Sequence, residues 1–333
     1  MEAPIDRDTL WSEWKGDELS PTLKAYADFN ADEDCVMLRT AMKGLGTDEK
    51  VIIDIFGHRT AAQRMQIVNR YKVLYGRDLK QELRSELSGH FEDTILALCL
   101  SPAEFDANEL WRAMSGFGTN ESVLIEILCS RTNDQIRRIK ETYHSLFHRD
   151  LEEDIKEETS GNFRHVMISL VQAQRDEDVS VSRTRAIQDA EALFEAGEKM
   201  FGTDESVFNR VLATRSPGHI RLVIKEYAKI SKRTLEEALK SEMSGDTLES
   251  FLTIVRCMQN KPKYFANQLK KSMQGLGTRD HDLIRIIVSR CEIDMGYIKD
   301  EFFELTGKTL GEWIEDDTSG NYRRILLALI GNG

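Results

Sequence analysis

Four stretches of this chain superpose on one another without a gap, so whatever it folds into is built four times. "MKGLGTDE" at 42–49, "MSGFGTNE" at 114–121 and "MQGLGTRD" at 273–280 share one pattern, and "GEKMFGTDE" at 197–205 is a relaxed copy. Counted from the last glycine of each, Gly46, Gly118, Gly202 and Gly277, an arginine follows at 13 residues (Arg59, Arg131, Arg215, Arg290). A leucine follows at 33 (Leu79, Leu151, Leu235, Leu310) and a glycine preceded by serine at 43 (Gly89, Gly161, Gly245, Gly320). Such a chain is an array of units of about 70 residues. The extra length falls between the second and third units, in the polar stretch "AQRDEDVSVSRTR" at 173–185, expected to be a surface connector. The register gives an N-terminal segment 1–23, repeats at 24–100, 101–172, 186–258 and 259–333, and the connector 173–185.

Inside a unit the pattern is helical. "DEKVIIDIFGHR" carries Val51, Ile52, Ile55 and Phe56 as an apolar stripe at helical spacing. Thr47, Thr119, Thr203 and Thr278 stand just before that stripe, where threonine caps a helix and acids suit its dipole. Only 5 prolines interrupt the chain. About five short helices per unit and no strand are expected, an all-α fold.

Composition narrows the partners. The net charge is -12, which opposes unassisted binding to nucleic acid or to an anionic bilayer unless a multivalent cation intervenes. The start, "MEAPIDRDTLWSEWKGDE", has acids where a signal peptide needs a basic and then an apolar stretch. No run of 18 apolar residues suggests a membrane span. The 5 cysteines form no CxxC pair and mostly sit in or beside apolar runs, which suits buried, reduced thiols and a cytosolic protein.

The glycine loops follow a helix end, where carbonyls lack partners and the dipole is negative. Glycine permits the positive φ that turns carbonyls to one side. Clustered oxygens of that kind suit a hard cation, above all Ca²⁺, and a carboxylate should close the site. At 40 residues after each last glycine stands an acid, Glu86, Glu158, Glu242 or Asp317, two residues before the serine of the serine–glycine pair.

A glycine loop followed at that distance by an acid beside Ser-Gly, four times over, resembles the annexin family across about residues 24–331. The resemblance implies four repeats arranged as a slightly curved disc, with Ca²⁺ held on its convex face. Carried over, the ligands are Met42, Gly44, Gly46 and Glu86 in the first repeat, and Met114, Gly116, Gly118 and Glu158 in the second. They are Met273, Gly275, Gly277 and Asp317 in the fourth. The third loop lacks a glycine two before Gly202. It is similar to a longer variant in the family, which implies Gly197, Met200, Gly202 and Glu242.

Three carbonyls and one bidentate carboxylate supply about five oxygens where Ca²⁺ takes about 6–8. Phosphate would supply the missing ligands and charge, so the expected partner is an anionic phospholipid surface of the phosphatidylserine type. Leu45, Phe117, Phe201 and Leu276 either touch the acyl boundary or pack in their loops. Glu49, Glu121, Glu205 and Asp280 either hold a second ion or serve the helix dipole.

A second constellation sits inside the apolar helices: Asp54, Glu126, Arg210 and Arg285. Matching alternate repeats pairs Asp54 with Arg210 and Glu126 with Arg285. The readings are structural salt bridges or, by the resemblance, the lining of a polar channel.

Enzymatic readings fail. "HRDLEEDI" at 148–155 has Ile155 where a kinase loop needs asparagine, and there is no HExxH or EF-hand spacing. The expectation is a non-enzymatic, cytoplasmic protein peripheral to membranes when Ca²⁺ rises, with unconventional secretion open. The N-terminal segment, with Trp11 and Trp14, is where a protein partner or self-association is expected. A calcium-independent helical scaffold and an ion-conducting module are the competing classes.

Overall fold

The structure is a computed structural model that describes residues 19–44, 46–178, 180–200, 202–275 and 277–332. Trp11, Trp14, Leu45, Phe201 and Leu276 lie outside the described residues. Among those described every regular element is a helix, apart from an isolated bridge between Gly116 and Gly118.

The first repeat holds α1 (Ala31–Ala41), α2 (Glu49–Phe56), α3 (Ala61–Tyr75), α4 (Leu79–Glu86) and α5 (Gly89–Leu98). The second holds α6 (Pro102–Met114), α7 (Glu121–Ser130), α8 (Asn133–Phe147), α9 (Leu151–Glu158) and α10 (Gly161–Val171). The third holds α11 (Arg183–Ala196), α12 (Glu205–Thr214), α13 (Pro217–Ile230) and α14 (Leu235–Glu242). Next, α15 (Gly245–Met273) leaves helical geometry at Asn260 (φ -156°, ψ 95°), just before Pro262. Pro262 has no N–H to donate to the carbonyl of Met258 four residues earlier, and its ring crowds that turn, so the helical ladder breaks here. So α15 is two helices, the last of the third repeat and the first of the fourth. The fourth continues with α16 (Asp280–Arg290), α17 (Met295–Thr306), α18 (Leu310–Asp317) and α19 (Gly320–Leu329). Among the described residues each repeat thus has five helical segments, as its periodicity predicts.

Local chemistry explains the boundaries. Thr60, Thr132, Thr234 and Thr309 each form a capping box with the Gln or Glu three residues on. The recurring Ser-Gly glycine opens the last helix of each unit at positive φ, between 56° at Gly161 and 63° at Gly89, a conformation only glycine adopts without strain. On α2 the stripe is buried at Ile52, Ile53, Ile55 and Phe56, while Val51 lies at its half-buried edge. Each of those side chains contributes roughly 1.5–3 kcal/mol by leaving water.

The chain divides into two compact units. One contains described residues 106–261, the second and third repeats, and in it α10 packs on α7 and α12. The other contains described residues 19–105 and 262–332, the first and fourth repeats, and in it α19 packs on α2 and α5, and α5 on α16.

The recurring arginine is a strut, buried at Arg59, Arg131 and Arg290 and half-buried at Arg215. Arg59 grips Asp34 with Nε and Nη2 at 2.8 and 2.9 Å, and Arg131 grips Asp106 at 2.7 and 2.8 Å. Arg215 grips Asp189 at 2.7 and 3.2 Å, and His219 Nε2 adds a contact at 2.9 Å. Each tie joins the first helix of a repeat to the end of its second. In the fourth repeat the equivalent of Asp34 is Phe265; Arg290 stacks 4.6 Å over that ring and bonds Asp294 at 2.8 and 2.6 Å instead.

The connector is mostly exposed, but it is anchored. Arg175 donates to the carbonyls of Leu212 and Arg215 at 2.8 and 2.9 Å, and Asn133 donates to the Arg175 carbonyl at 2.7 Å. All 5 cysteines are free and buried, as their apolar settings predict. Burial pushes the Cys35 thiol up to about 11 and those of Cys99 and Cys291 to about 12, which leaves them un-ionised at neutral pH.

Candidate functional site: four loops and four distant acids

Each glycine loop links the first and second helices of its repeat. Its neck is closed by one main-chain bond: Asp48 N–H to Ala41 at 2.9 Å, Asn120 to Ala113 at 2.8 Å, Asp204 to Ala196 at 2.9 Å and Arg279 to Ser272 at 2.8 Å. Within the neck the chain needs left-handed residues. Gly44 and Gly46 have φ of 114° and 90°, Gly275 and Gly277 of 122° and 84°, and Gly118 and Gly202 of 88° each. A Cβ built on any of these six would meet nothing within 4 Å, so the requirement is conformational and the loop faces open space.

The helix after each loop is capped by the residue after the threonine, not by the threonine as its position suggested. Asp48, Asn120, Asp204 and Arg279 occupy the N-cap position, and Asp48 and Asp204 accept a main-chain N–H. The threonine hydroxyl is spent elsewhere. Thr47 Oγ1 donates to Glu86 Oε2 at 2.7 Å, and Thr278 Oγ1 to Asp317 Oδ2 at 2.6 Å. Thr119 and Thr203 reach Glu158 Oε2 and Glu242 Oε2 at 3.2 Å each. In every repeat the loop and the acid 40 residues beyond its last glycine are therefore side by side.

Those acids occupy an adverse position. Glu86, Glu158, Glu242 and Asp317 are each the last residue of an eight-residue helix, α4, α9, α14 and α18. There the dipole is negative and disfavours a carboxylate. All four are exposed or half-exposed, and no ion pair among the described residues engages them. Loop carbonyls and a carboxylate at a helix C-terminus make an all-oxygen, negatively polarised donor set, the kind a hard divalent cation prefers. Among the described residues no group of three His, Cys, Asp or Glu side chains could hold a metal, so a cation here depends on main-chain oxygens.

The third loop is built differently. Gly197 caps α11 at φ -116°, and its carbonyl already accepts the Met200 N–H at 3.1 Å. Gly197 stands against Glu242, since a Cβ there would lie 3.5 Å from Glu242 Cγ. The next residue, Glu198, turns inward and accepts from Tyr227 Oη at 2.7 Å and Ser231 Oγ at 2.6 Å. At the loop tips, Phe117 is fully exposed and Met200 is exposed.

The alignment of four repeats has a counterpart among known proteins. The family model Annexin matches residues 33–98, 105–170, 188–254 and 264–329. The chain belongs to the annexin family. It is 51% identical to mouse Annexin A4 over 310 residues, which covers 93% of this chain and 97% of the relative. Among solved structures, annexin III superposes with a TM-score of 0.92 at 41% identity, covering 93% of this chain and 97% of that one. Calcium-bound annexin (Sm)1 superposes with a TM-score of 0.85 at 35% identity, covering 95% and 94%.

Other residues singled out by the annexin pattern are placed as follows. Glu49, Glu121, Glu205 and Asp280 each open a helix, where an acid suits the dipole. Asp54 and Arg210 are exposed, whereas Glu126 and Arg285 are buried. Arg285 Nη2 bonds Asp282 at 2.9 Å, and Arg210 lies 3.9 Å from Asp189. The kinase-like "HRDL" is structural: His148 ends α8 in the left-handed region, Asp150 caps α9 and Arg149 bonds Asp154. Sequence reading missed the partners of the recurring arginine and the inward role of Glu198. The aspartates stand at intervals of 25, 25 and 26 residues from their arginines, a signal as regular as those it used.

Proposed function

We propose that this annexin binds anionic phospholipid membranes in the presence of Ca²⁺. Carbonyls of Met42, Gly44 and Gly46 with Glu86 would hold the ion in the first repeat, and Met114, Gly116 and Gly118 with Glu158 in the second. Gly197, Met200 and Gly202 with Glu242 would do so in the third, and Met273, Gly275 and Gly277 with Asp317 in the fourth. Bound Ca²⁺ supplies positive charge and open coordination places for phosphate oxygens. The chain's own part is to keep the acid against the loop. One observation carries the reading: four times, a loop threonine holds an acid that sits unpaired at the negative end of a helix. The described residues contain no helix long and apolar enough to cross a membrane. Peripheral attachment from the cytoplasm, for membrane organisation, trafficking or scaffolding, fits this reading, with no enzymatic step.

Sites short of ligands bind Ca²⁺ weakly in solution, near the 10⁻⁴–10⁻³ M end of the known range. Calorimetric titration of Ca²⁺ alone, then with phosphatidylserine vesicles, then with phosphatidylcholine vesicles, tests this. Tightening by phosphatidylserine and much less by phosphatidylcholine is expected from linkage. Micromolar binding without lipid, unchanged by anionic vesicles, would refute the bridging reading.

A further inference from the structure

Beside the first loop lies a cleft of about 530 Å³ lined by Lys43, Lys50, Asn321 and Arg324, opening next to Gly46 and Thr47. Lys43 comes from the loop, Lys50 from the first turn of α2, and Asn321 and Arg324 from the first turns of α19, all in one unit. The three cations are exposed, and no ion pair among the described residues engages them. Arg324 Nη1 donates only to the neutral Asn321 Oδ1, at 3.1 Å. Asp48 and Glu49 also line the cleft, but Asp48 is turned to accept the Val51 N–H at 3.3 Å. The lining therefore has a positive excess on a chain of net charge -12.

The excess is particular to this loop. At the position of Lys50 the other repeats carry Ser122, Ser206 and His281. A singly charged phosphodiester is served by one cation. Several cations that include a planar guanidinium fork suit a phosphomonoester, which is close to doubly charged at neutral pH and has three acceptor oxygens. We propose that the cleft receives a phosphomonoester, either that of a polyphosphorylated lipid headgroup or that of its soluble counterpart. This rests on the membrane-binding reading only for the lipid form of the ligand. It also gives Glu49 a cationic surrounding, which opposes a second metal ion there.

The test uses the full chain and two vesicle types matched in surface charge, phosphatidylcholine with phosphatidylserine and phosphatidylcholine with phosphatidylinositol 4,5-bisphosphate. Inositol 1,4,5-trisphosphate, titrated calorimetrically in chelator, is the soluble arm. The wild type is expected to need about tenfold less Ca²⁺ for the bisphosphate vesicles. Lys50→Gln/Arg324→Gln, with unchanged helicity, should need the same Ca²⁺ for both and give no trisphosphate heat. Arg324→Lys should fall between, because it keeps charge and loses the fork. A double variant that keeps the full preference, or a wild type with neither preference nor heat, would overturn the proposal. Trisphosphate heat without attachment to either vesicle at any Ca²⁺ would support the cleft and sink the membrane reading. Equal attachment to both, without heat, would do the reverse.

Discussion

The first and third repeats reach the same contact by different supports. In the first, Tyr71 donates its hydroxyl to Glu82, which Arg77 and Arg39 also hold at 2.7 and 2.9 Å. In the third, the position of Glu82 is Ala238, and Tyr227 turns to Glu198 in the loop itself. The longer third loop thus carries inward the acid that its repeat lacks elsewhere. Yet Thr203 still meets Glu242 as Thr47 meets Glu86. What the repeats share is the threonine–acid contact, and the loop sequence is free to vary around it.

The struts should give the largest effects. Asp189 receives Arg215 and His219, with Arg210 3.9 Å away, whereas among the described residues Asp34 receives Arg59 alone. Burial pushes the Asp189 carboxyl up, but hydrogen bonds from His219 and Arg215 and their charges hold it well below the usual carboxylate range. Asp189→Asn should cost about 3–5 kcal/mol in urea unfolding, and Asp34→Asn somewhat less because Arg59 keeps its stack 3.8 Å over Tyr26. Because the folded value is depressed, this stability is complete above the unfolded value of about 4 and is lost as pH falls through the folded one. The gap between wild type and Asp189→Asn should therefore close in acid. Equal costs for the two variants would mean that neither the extra partners of Asp189 nor the Arg59 stack changes the cost.

A smaller effect separates the loops. Glu198→Gln should cost about 1–2 kcal/mol and raise the Ca²⁺ needed for vesicle attachment, since it frees the third loop. Glu82→Gln should cost as much stability and leave the Ca²⁺ requirement alone. If both shift that requirement alike, Glu198 is not a loop support.

The smallest concerns the hydroxyls. Thr47→Val and Thr203→Val should each cost about 1 kcal/mol or less in unfolding. Each should raise the Ca²⁺ midpoint of vesicle attachment a few-fold by leaving its acid unheld. An unchanged midpoint in both would show that the acids need no holding.

Much of this was legible in the sequence because four copies in one register act as internal controls. The register locates the acids Glu86, Glu158, Glu242 and Asp317 from the sequence alone. It also locates the arginines, but not their purpose. Their partners are equally periodic in three repeats, and the substitution by Phe265 in the fourth obscures the fourth instance. Thr47 looked like a cap because threonine caps helices, but Asp48, Asn120 and Asp204 are as good or better caps one residue later. Glu198 was illegible because its role depends on an absence, Ala238, forty residues away.

In the proposed function the four distant acids complete the calcium sites. The direct measurement is co-sedimentation with phosphatidylserine vesicles of the variant Glu86→Gln/Glu158→Gln/Glu242→Gln/Asp317→Asn. The wild type is expected to sediment with Ca²⁺ and to remain in solution with chelator. The variant, with helicity unchanged by circular dichroism, should remain in solution at the same Ca²⁺ concentration. A folded variant that sediments at that concentration as the wild type does would contradict the claim.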